Sequence, residues 1–264
     1  MIHTQGIRPK LCLYGGPVLK QRSQRGLFFG FASRTLVLAA LFAAAAVAVS
    51  HLFPDKGVEQ TSAEPAHAFR TVVIDPGHGG ADGGAAAPDG TLEKDLNLDM
   101  GMRLYRMLSA AGYDCKMTRY GDEMLTDGTD APKKLSDLRA RVRAADGGIL
   151  VSVHQNKFPQ ASCSGTQVYY SKNDPGSQKL AAAVQSLVSE HLQKDNKRQI
   201  KRAGSEIYVL DNSTGPAILI ECGFLSNPAE LEKLCDEDYR KRLSAVIFCA
   251  ITRTMAENGE AYEK

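Results

Sequence analysis

The sequence predicts an α/β domain whose largely parallel sheet is covered by helices on both faces. Three observations carry this reading. From Phe69 onward, apolar strand-like runs alternate with amphipathic helical ones, which is the pattern of strand–helix–strand units. At 264 residues the chain has room for one sizeable domain plus extensions. With 43% hydrophobic and 23% charged residues it can build an ordinary core.

The N-terminal region reads differently. Residues 1–34 carry Arg8, Lys10, Lys20, Arg22, Arg25 and Arg34 and no acid, although the whole chain is only +2. Everything after them is therefore acidic on balance, so no nucleic-acid partner is expected. Residues 35–53 are apolar, close to the roughly 20 residues that span a bilayer. Basic charge on their N-terminal side places residues 1–34 in the cytoplasm and the following domain outside, as a single-pass cell-membrane protein. Ala46-Val47-Ala48 also fits a signal cleavage site, but the long basic region before it favours an uncleaved anchor. Residues 54–68 mix Pro, Gly, Ser, Glu and His without periodicity and read as a linker. The main domain is then 69–258, with a short tail at 259–264.

Within that domain the first strand is Thr71-Val-Val-Ile-Asp75, and Leu96, Met100, Leu104 and Leu108 recur every fourth residue as a helix face. A strand over 113–118 follows Gly112, and Leu135, Leu138 and Val142 mark the next helix. Residues 149–153, 167–171, 207–210 and 217–220 read as strands. Leu180, Ala183, Val184, Leu187 and Val188 define another helix, and 239–254 closes the domain as a helix. Cys12, Cys115, Cys163, Cys222, Cys235 and Cys249 show no C-x-x-C spacing, hence neither a zinc ribbon nor a disulfide framework, though pairing of two of them stays open.

Four polar residues adjoin these apolar elements in a way that packing does not require. His78 follows the first strand through Asp-Pro-Gly, His154 follows 149–153, Glu221 follows 217–220, and Glu93 precedes the first helix. In a parallel sheet all four share one edge, the edge at which such sheets bind ligands. Two imidazoles and a carboxylate suit zinc and leave a position for water, whose pKa falls to about 7 on the metal. His78, Glu93 and His154 are the expected ligands, and Glu221 is the expected general base. Each has a plainer reading as well. His78 also fits a turn, and an acid at Glu93 suits a helix N-terminus in any case. Asp75 and Asp82 read as supporting or turn residues, Asn156 as a substrate-orienting or loop residue, and His191 as packed on its helix. His3, His51 and His67 lie outside the domain. Arg139, Arg141 and Arg143 form a charge run whose default is a solvated helix face.

Val-Val-Ile-Asp-Pro-Gly-His-Gly-Gly80, Glu93 before a helix, Ser-Val-His-Gln-Asn156 and Pro-Ala-Ile-Leu-Ile-Glu-Cys-Gly-Phe-Leu-Ser-Asn-Pro-Ala-Glu230 resemble the zinc-dependent N-acetylmuramoyl-L-alanine amidases. The resemblance runs through about residues 70–255 in order. It implies a twisted six-stranded sheet with flanking helices and cleavage of the peptidoglycan bond between N-acetylmuramic acid and L-alanine. It implies the same roles for His78, Glu93, His154 and Glu221, and a structural role for Arg141, whose Leu-x-x-Arg-Val setting matches the family pattern. The single anchor, Lys-Phe-Pro-Gln160 and Ser-Gly-Thr-Gln-Val-Tyr-Tyr-Ser171 are similar to the spore-cortex branch of the family. That branch implies a part in forming muramic-δ-lactam and an accessory lipoprotein partner. Cys222 departs from the usual aliphatic residue and is expected to pack the same way. Gln155 departs from a small residue and is expected to reshape the groove. A catalytically silent wall-binding scaffold and a zinc carboxypeptidase acting on stem peptides are the competing functions.

Overall fold

Val72, Val73 and Ile74 are β-branched and sit in a run that is buried from end to end, so they suit a strand covered on both faces. The structure, a computed structural model, describes residues 71–261, and all of them belong to one compact unit. Its strands are β1 (Val72–Pro76), β2 (Cys115–Met117), β3 (Ile149–Asn156), β4 (Gln167–Tyr170), β5 (Lys201–Arg202) and β6 (Ala217–Phe224). They form one six-stranded sheet in the order β2-β1-β3-β6-β4-β5. β2, β1, β3 and β6 run parallel, whereas β4 is antiparallel to β6 and parallel to β5. The sheet is therefore mostly parallel, and the three strands expected to carry the site, β1, β3 and β6, are all among its parallel strands.

The helices are α1 (Glu93–Ala110), α2 (Lys133–Ala144), α3 (Pro175–His191), α4 (Tyr208–Asp211), α5 (Pro228–Cys235) and α6 (Glu237–Ala261). Alternation along the strands divides the core between two faces. Val72, Ile74, Val151, Val153, Ile218 and Ile220 pack with α1, α3 and α6. Val73, Leu150, Ala217 and Leu219 pack with Leu138 and Val142 of α2 and with Val209 and Leu210 of α4. No helix among the described residues is long and apolar enough to cross a membrane. The apolar segment 35–53, the basic segment 1–34 and the linker 54–68 lie outside the described residues.

Two elements depart from expectation. Residues 207–210 form a helical turn rather than a strand, and β5 lies earlier, at Lys201–Arg202. The reason is burial. Val209 and Leu210 are neighbours, buried at 4% and 0% exposure in the same cluster against Val73, Leu150, Ala217 and Leu219, and a strand would send them to opposite faces. A turn closed by Leu210 N and Asp211 N donating to Ile207 O lets both cover the thinner face of the sheet. The other departure is α5, which periodicity did not reveal. Its start is written in Asn227, whose side chain accepts from Ala229 N and Glu230 N, followed by Pro228 at the first helical position. His191 also corrects its expectation. As the last residue of α3 it is exposed, because Leu192, one helical step beyond Val188, takes the packed position.

The charge run on α2 splits by helical phase. Arg139 and Arg143 are exposed, while Arg141 is 2% exposed. Arg141 Nη1 donates to Asp75 Oδ1 at 2.7 Å and Arg141 Nε to Asp137 Oδ2 at 2.7 Å. Asp75 also accepts from Thr118 Oγ1 and Ser152 Oγ, each at 2.7 Å. One buried carboxylate thus joins β1, the end of β2, β3 and α2. Burial works to raise the Asp75 pKa, but Arg141, Thr118 and Ser152 outweigh it and hold the carboxyl below its ordinary 3.8. Since the folded value is the depressed one, this stabilisation is complete above 3.8 and is lost as pH falls through the folded value. Asp75→Asn should cost about 3–5 kcal/mol at neutral pH, the range for breaking a buried pair. In thermal melts its deficit against the unmodified protein should shrink in acid below 3.8. A deficit that stays constant through the acid range would show that the charge contributes nothing.

Candidate metal centre

β1 ends in Asp75-Pro76, and Gly77 N still donates to Val153 O at 3.0 Å, so the chain leaves the sheet beside β3. It then turns through three consecutive left-handed residues, His78 (φ 62°), Gly79 (φ 139°) and Gly80 (φ 56°). His78 is the only non-glycine with positive φ among the described residues, a conformation that costs an ordinary residue about 1–3 kcal/mol. Gly77 is required for another reason. A Cβ there would stand 2.1 Å from Cε1 and Nε2 of His154, so only hydrogen lets the β1 loop pass under that ring.

Glu93 opens α1. Its N-cap, Leu92, offers no capping side chain, and the first turn instead receives the Glu93 carboxylate, which the helix dipole favours. Glu93 is 4% exposed. Its Oε2 accepts from Ala85 N at 2.8 Å, and its Oε1 accepts from Gln155 N at 3.1 Å and from Asn97 Nδ2 at 3.3 Å. The same Oε1 lies 3.3 Å from His78 Nε2 and 2.9 Å from His154 Nδ1. The two rings meet edge to face with centroids 5.0 Å apart. One donor atom from each of His78, Glu93 and His154 lies within 4.8 Å of the others, close enough to hold a metal ion. His78 keeps Nδ1 occupied by Asp82 Oδ2 at 2.9 Å, which turns Nε2 toward the group.

The electrostatics favour a cation at this point. Burial opposes charge on Glu93, yet His154 and His78 hold its carboxyl far below the usual range. Burial likewise opposes charge on His78, yet Glu93 and Asp82 raise its pKa. Glu221 is the register partner of His154 across β3 and β6. Its Oε2 is enclosed with no hydrogen-bond partner. Burial first, and the negative charge of Glu93 second, push its carboxyl up to about 7, while His154 and His78 pull the other way.

All four expected residues therefore meet, although His154 and Glu221 lie inside their strands rather than after them. Asn156 ends β3 beyond a register shift between His154 and Asn156, and its carbonyl accepts from Leu225 N at 2.8 Å. Gln155 corrects its expectation. It is 2% exposed, with Nε2 donating to Asn97 Oδ1 at 3.2 Å, because strand alternation turns it away from His154 toward α1. It supports the floor of the site and does not line a groove. Cys222 is 0% exposed and packs in the core as an aliphatic residue would. Cys115, Cys163, Cys222, Cys235 and Cys249 are free thiols. Asn97 and Arg119 were missed in the sequence. Asn97 carried a signal, its spacing of four from Glu93 on one helix, and Arg119 carried none.

A mostly parallel sheet that gathers two imidazoles and a carboxylate at one edge, with an enclosed proton acceptor beside them, is equipped as a hydrolase. The family profile described as N-acetylmuramoyl-L-alanine amidase matches residues 72–253, and the chain belongs to that family. It is accordingly an enzyme that cleaves the amide between N-acetylmuramic acid and L-alanine in peptidoglycan. A germination-specific N-acetylmuramoyl-L-alanine amidase of Bacillus subtilis is 34% identical over 200 residues, 74% of this chain and 83% of the relative. The CwlD amidase from Clostridioides difficile, solved in complex with the GerS lipoprotein, superposes with a TM-score of 0.67 at 32% identity, covering 71% of this chain and 98% of that one. The amidase AmiC2 of Nostoc punctiforme gives a TM-score of 0.62 at 29% identity, covering 71% and 97%.

The close passage at Gly77 makes a specific prediction. Gly77→Ala must displace the His154 ring, and a shift of about 1 Å at a reacting site costs on the order of 100-fold in rate. Hydrolysis of purified peptidoglycan should fall by about that factor while the folded protein persists. An alanine variant with an unchanged rate would show that the ring need not stand where it does.

Proposed function

We propose that this chain is a zinc-dependent amidase of the spore cortex, held at the cell membrane by residues 35–53 with its catalytic domain outside the cytoplasm. In this reading His78, Glu93 and His154 hold the zinc, Glu221 is the general base and Asn156 orients the substrate. The observation that carries the chemistry is Glu221 Oε2, enclosed without a partner beside the His78, Glu93 and His154 group. A carboxylate is not left unpaired in such a place without cost.

The donor set supports zinc. Tetrahedral ligands at 2.0–2.2 Å from zinc stand about 3.4 Å apart, and the two imidazole nitrogens lie 3.3 and 2.9 Å from Glu93 Oε1. Two nitrogens and one oxygen leave a coordination position free, as catalytic sites require. Zinc in this place would polarise the substrate carbonyl and make water a better nucleophile near neutral pH. Glu221 takes the proton from the attacking water and hands it to the departing amine of L-alanine. A carboxyl raised to about 7 is suited to both transfers near neutral pH. Asp82 fixes the tautomer of His78, and Asn156, the last residue of β3, is assigned in this reading to hydrogen-bond the stem peptide.

The cortex role rests on the germination-specific Bacillus relative and the CwlD neighbour. The product of the reaction, a muramic acid freed of its stem peptide, is the substrate from which a second enzyme forms muramic-δ-lactam. By analogy with the neighbour solved with GerS, an accessory lipoprotein is the partner at the membrane.

Glu221→Gln should retain zinc and lose turnover by about 100-fold or more, the range for a general base, whereas His78→Ala should lose both metal and activity. A Glu221→Gln enzyme with an unchanged rate removes that residue from the mechanism. Mass spectrometry of digested muropeptides should show intact stem peptides with free L-alanine amino termini. Release of single residues from the other end of the peptide would make the enzyme a carboxypeptidase.

A further inference from the structure

The loop that presents His78 is strained and surrounded by glycines, yet its backbone is held at three successive carbonyls by two buried arginines. Arg141, on α2, donates from Nη1 to Pro76 O at 2.8 Å and from Nη2 to His78 O at 2.7 Å. Arg119, just past β2, donates from Nε to Pro76 O at 2.9 Å and from Nη2 to Gly77 O at 3.1 Å. Arg119 also reaches Lys94 O on α1 at 2.7 Å and Gly121 O at 2.8 Å. The two side chains are 1% and 2% exposed. Every hydrogen bond recorded for Arg119 goes to a carbonyl and none to a carboxylate, so a buried cation is maintained here largely to grip backbone.

A fork of this kind fixes direction as well as position. Each terminal nitrogen of Arg141 donates to one loop carbonyl and one carboxylate, Nη1 to Pro76 O and Asp75 and Nη2 to His78 O and Asp137, so the acids that hold the guanidinium also aim it at the loop. Arg119 ties Pro76 and Gly77 to Lys94, one residue after Glu93. The two arginines thus connect the histidine on the β1 loop to the carboxylate at the head of α1 without touching either side chain. We infer that Arg119 and Arg141 are positioning residues for the metal centre, holding His78 in its left-handed conformation and in register with Glu93 before any ion arrives. This rests on the reading of His78 as a metal ligand. Without the grip, His78 relaxes toward ordinary backbone angles, and the energy of ordering the loop is subtracted from metal binding.

The test is the zinc affinity of the full-length chain, measured by competition with a chromogenic chelator, alongside its melting temperature without metal. Lysine retains the charge but not the planar fork whose separate nitrogens reach Pro76 O and His78 O, or Pro76 O and Gly77 O, so Arg141→Lys and Arg119→Lys should each bind zinc about 10- to 100-fold more weakly, the usual effect of losing an outer partner of a metal ligand. Ile251→Ala, a core truncation on α6 outside the loop, should lower the melting temperature and leave zinc affinity within about twofold. That contrast separates positioning from general stability. Should Arg141→Lys fail to fold, Arg119→Lys carries the same readout. If the unmodified chain binds zinc, His78→Ala does not, and both lysine variants bind like the unmodified chain, the positioning role is overturned while the ligand assignment stands. If the unmodified chain binds no zinc, the ligand assignment fails and the positioning role with it.

Discussion

One oxygen atom, Glu93 Oε1, is the meeting point of the molecule. It faces His78 from the loop after β1 and His154 from β3, and it accepts the backbone N–H of Gln155 and the amide of Asn97. A buried carboxylate is expensive without partners, so the packing of β1, α1 and β3 is coupled through this one atom. The parallel register is what allows it. With β1, β3 and β6 all pointing the same way, one sheet edge collects the loop, the helix start and the two strand residues His154 and Glu221. The asymmetry between the two acids follows. Glu93 is surrounded by donors and stays ionised, while Glu221, enclosed and unpaired, is left near neutrality. Two carboxylates on one edge are thereby set apart for different tasks by environment alone.

The parts of this arrangement legible in the sequence are those with a local signature. An apolar run ending in Asp-Pro-Gly-His, a second run ending in His and a third ending in Glu announce strands with chemistry at their ends. The helix after Glu93 follows from the spacing of Leu96, Met100, Leu104 and Leu108. What could not be read depends on who the neighbours are. Val209 and Leu210 look like strand residues until the thin face of the sheet is seen to need both. Gln155 reads as a groove residue until the phase of β3 sets it against α1. The antiparallel direction of β4 is carried by no residue within it.

The arginines show the same division. Arg141 sits in a charge run that by default belongs to solvent; its Leu-x-x-Arg-Val setting marks it as structural, and helical phase, with Asp137 one turn earlier, shows what it holds. Arg119 follows a three-residue strand and has no pattern around it. Both are identified by what they reach, the carbonyls of a loop whose side chains attract all the notice. A site made of conspicuous residues is held by inconspicuous ones, because orientation is a property of backbone.

The connection between β1 and α1 has a further bearing on how such chains vary. Its backbone pairs Gly79 with Asp82 and Ala86 with Leu92, and its carbonyls at Ala85 and Gly83 receive Glu93 N and Lys94 N, the first amides of an uncapped helix. The segment therefore does the work of a capping box with main chain. Adding or deleting a residue within it would unseat the helix and move Glu93 with it. Although it lies at the surface of an α/β domain, where loops ordinarily absorb changes in length, this stretch behaves as part of the frame.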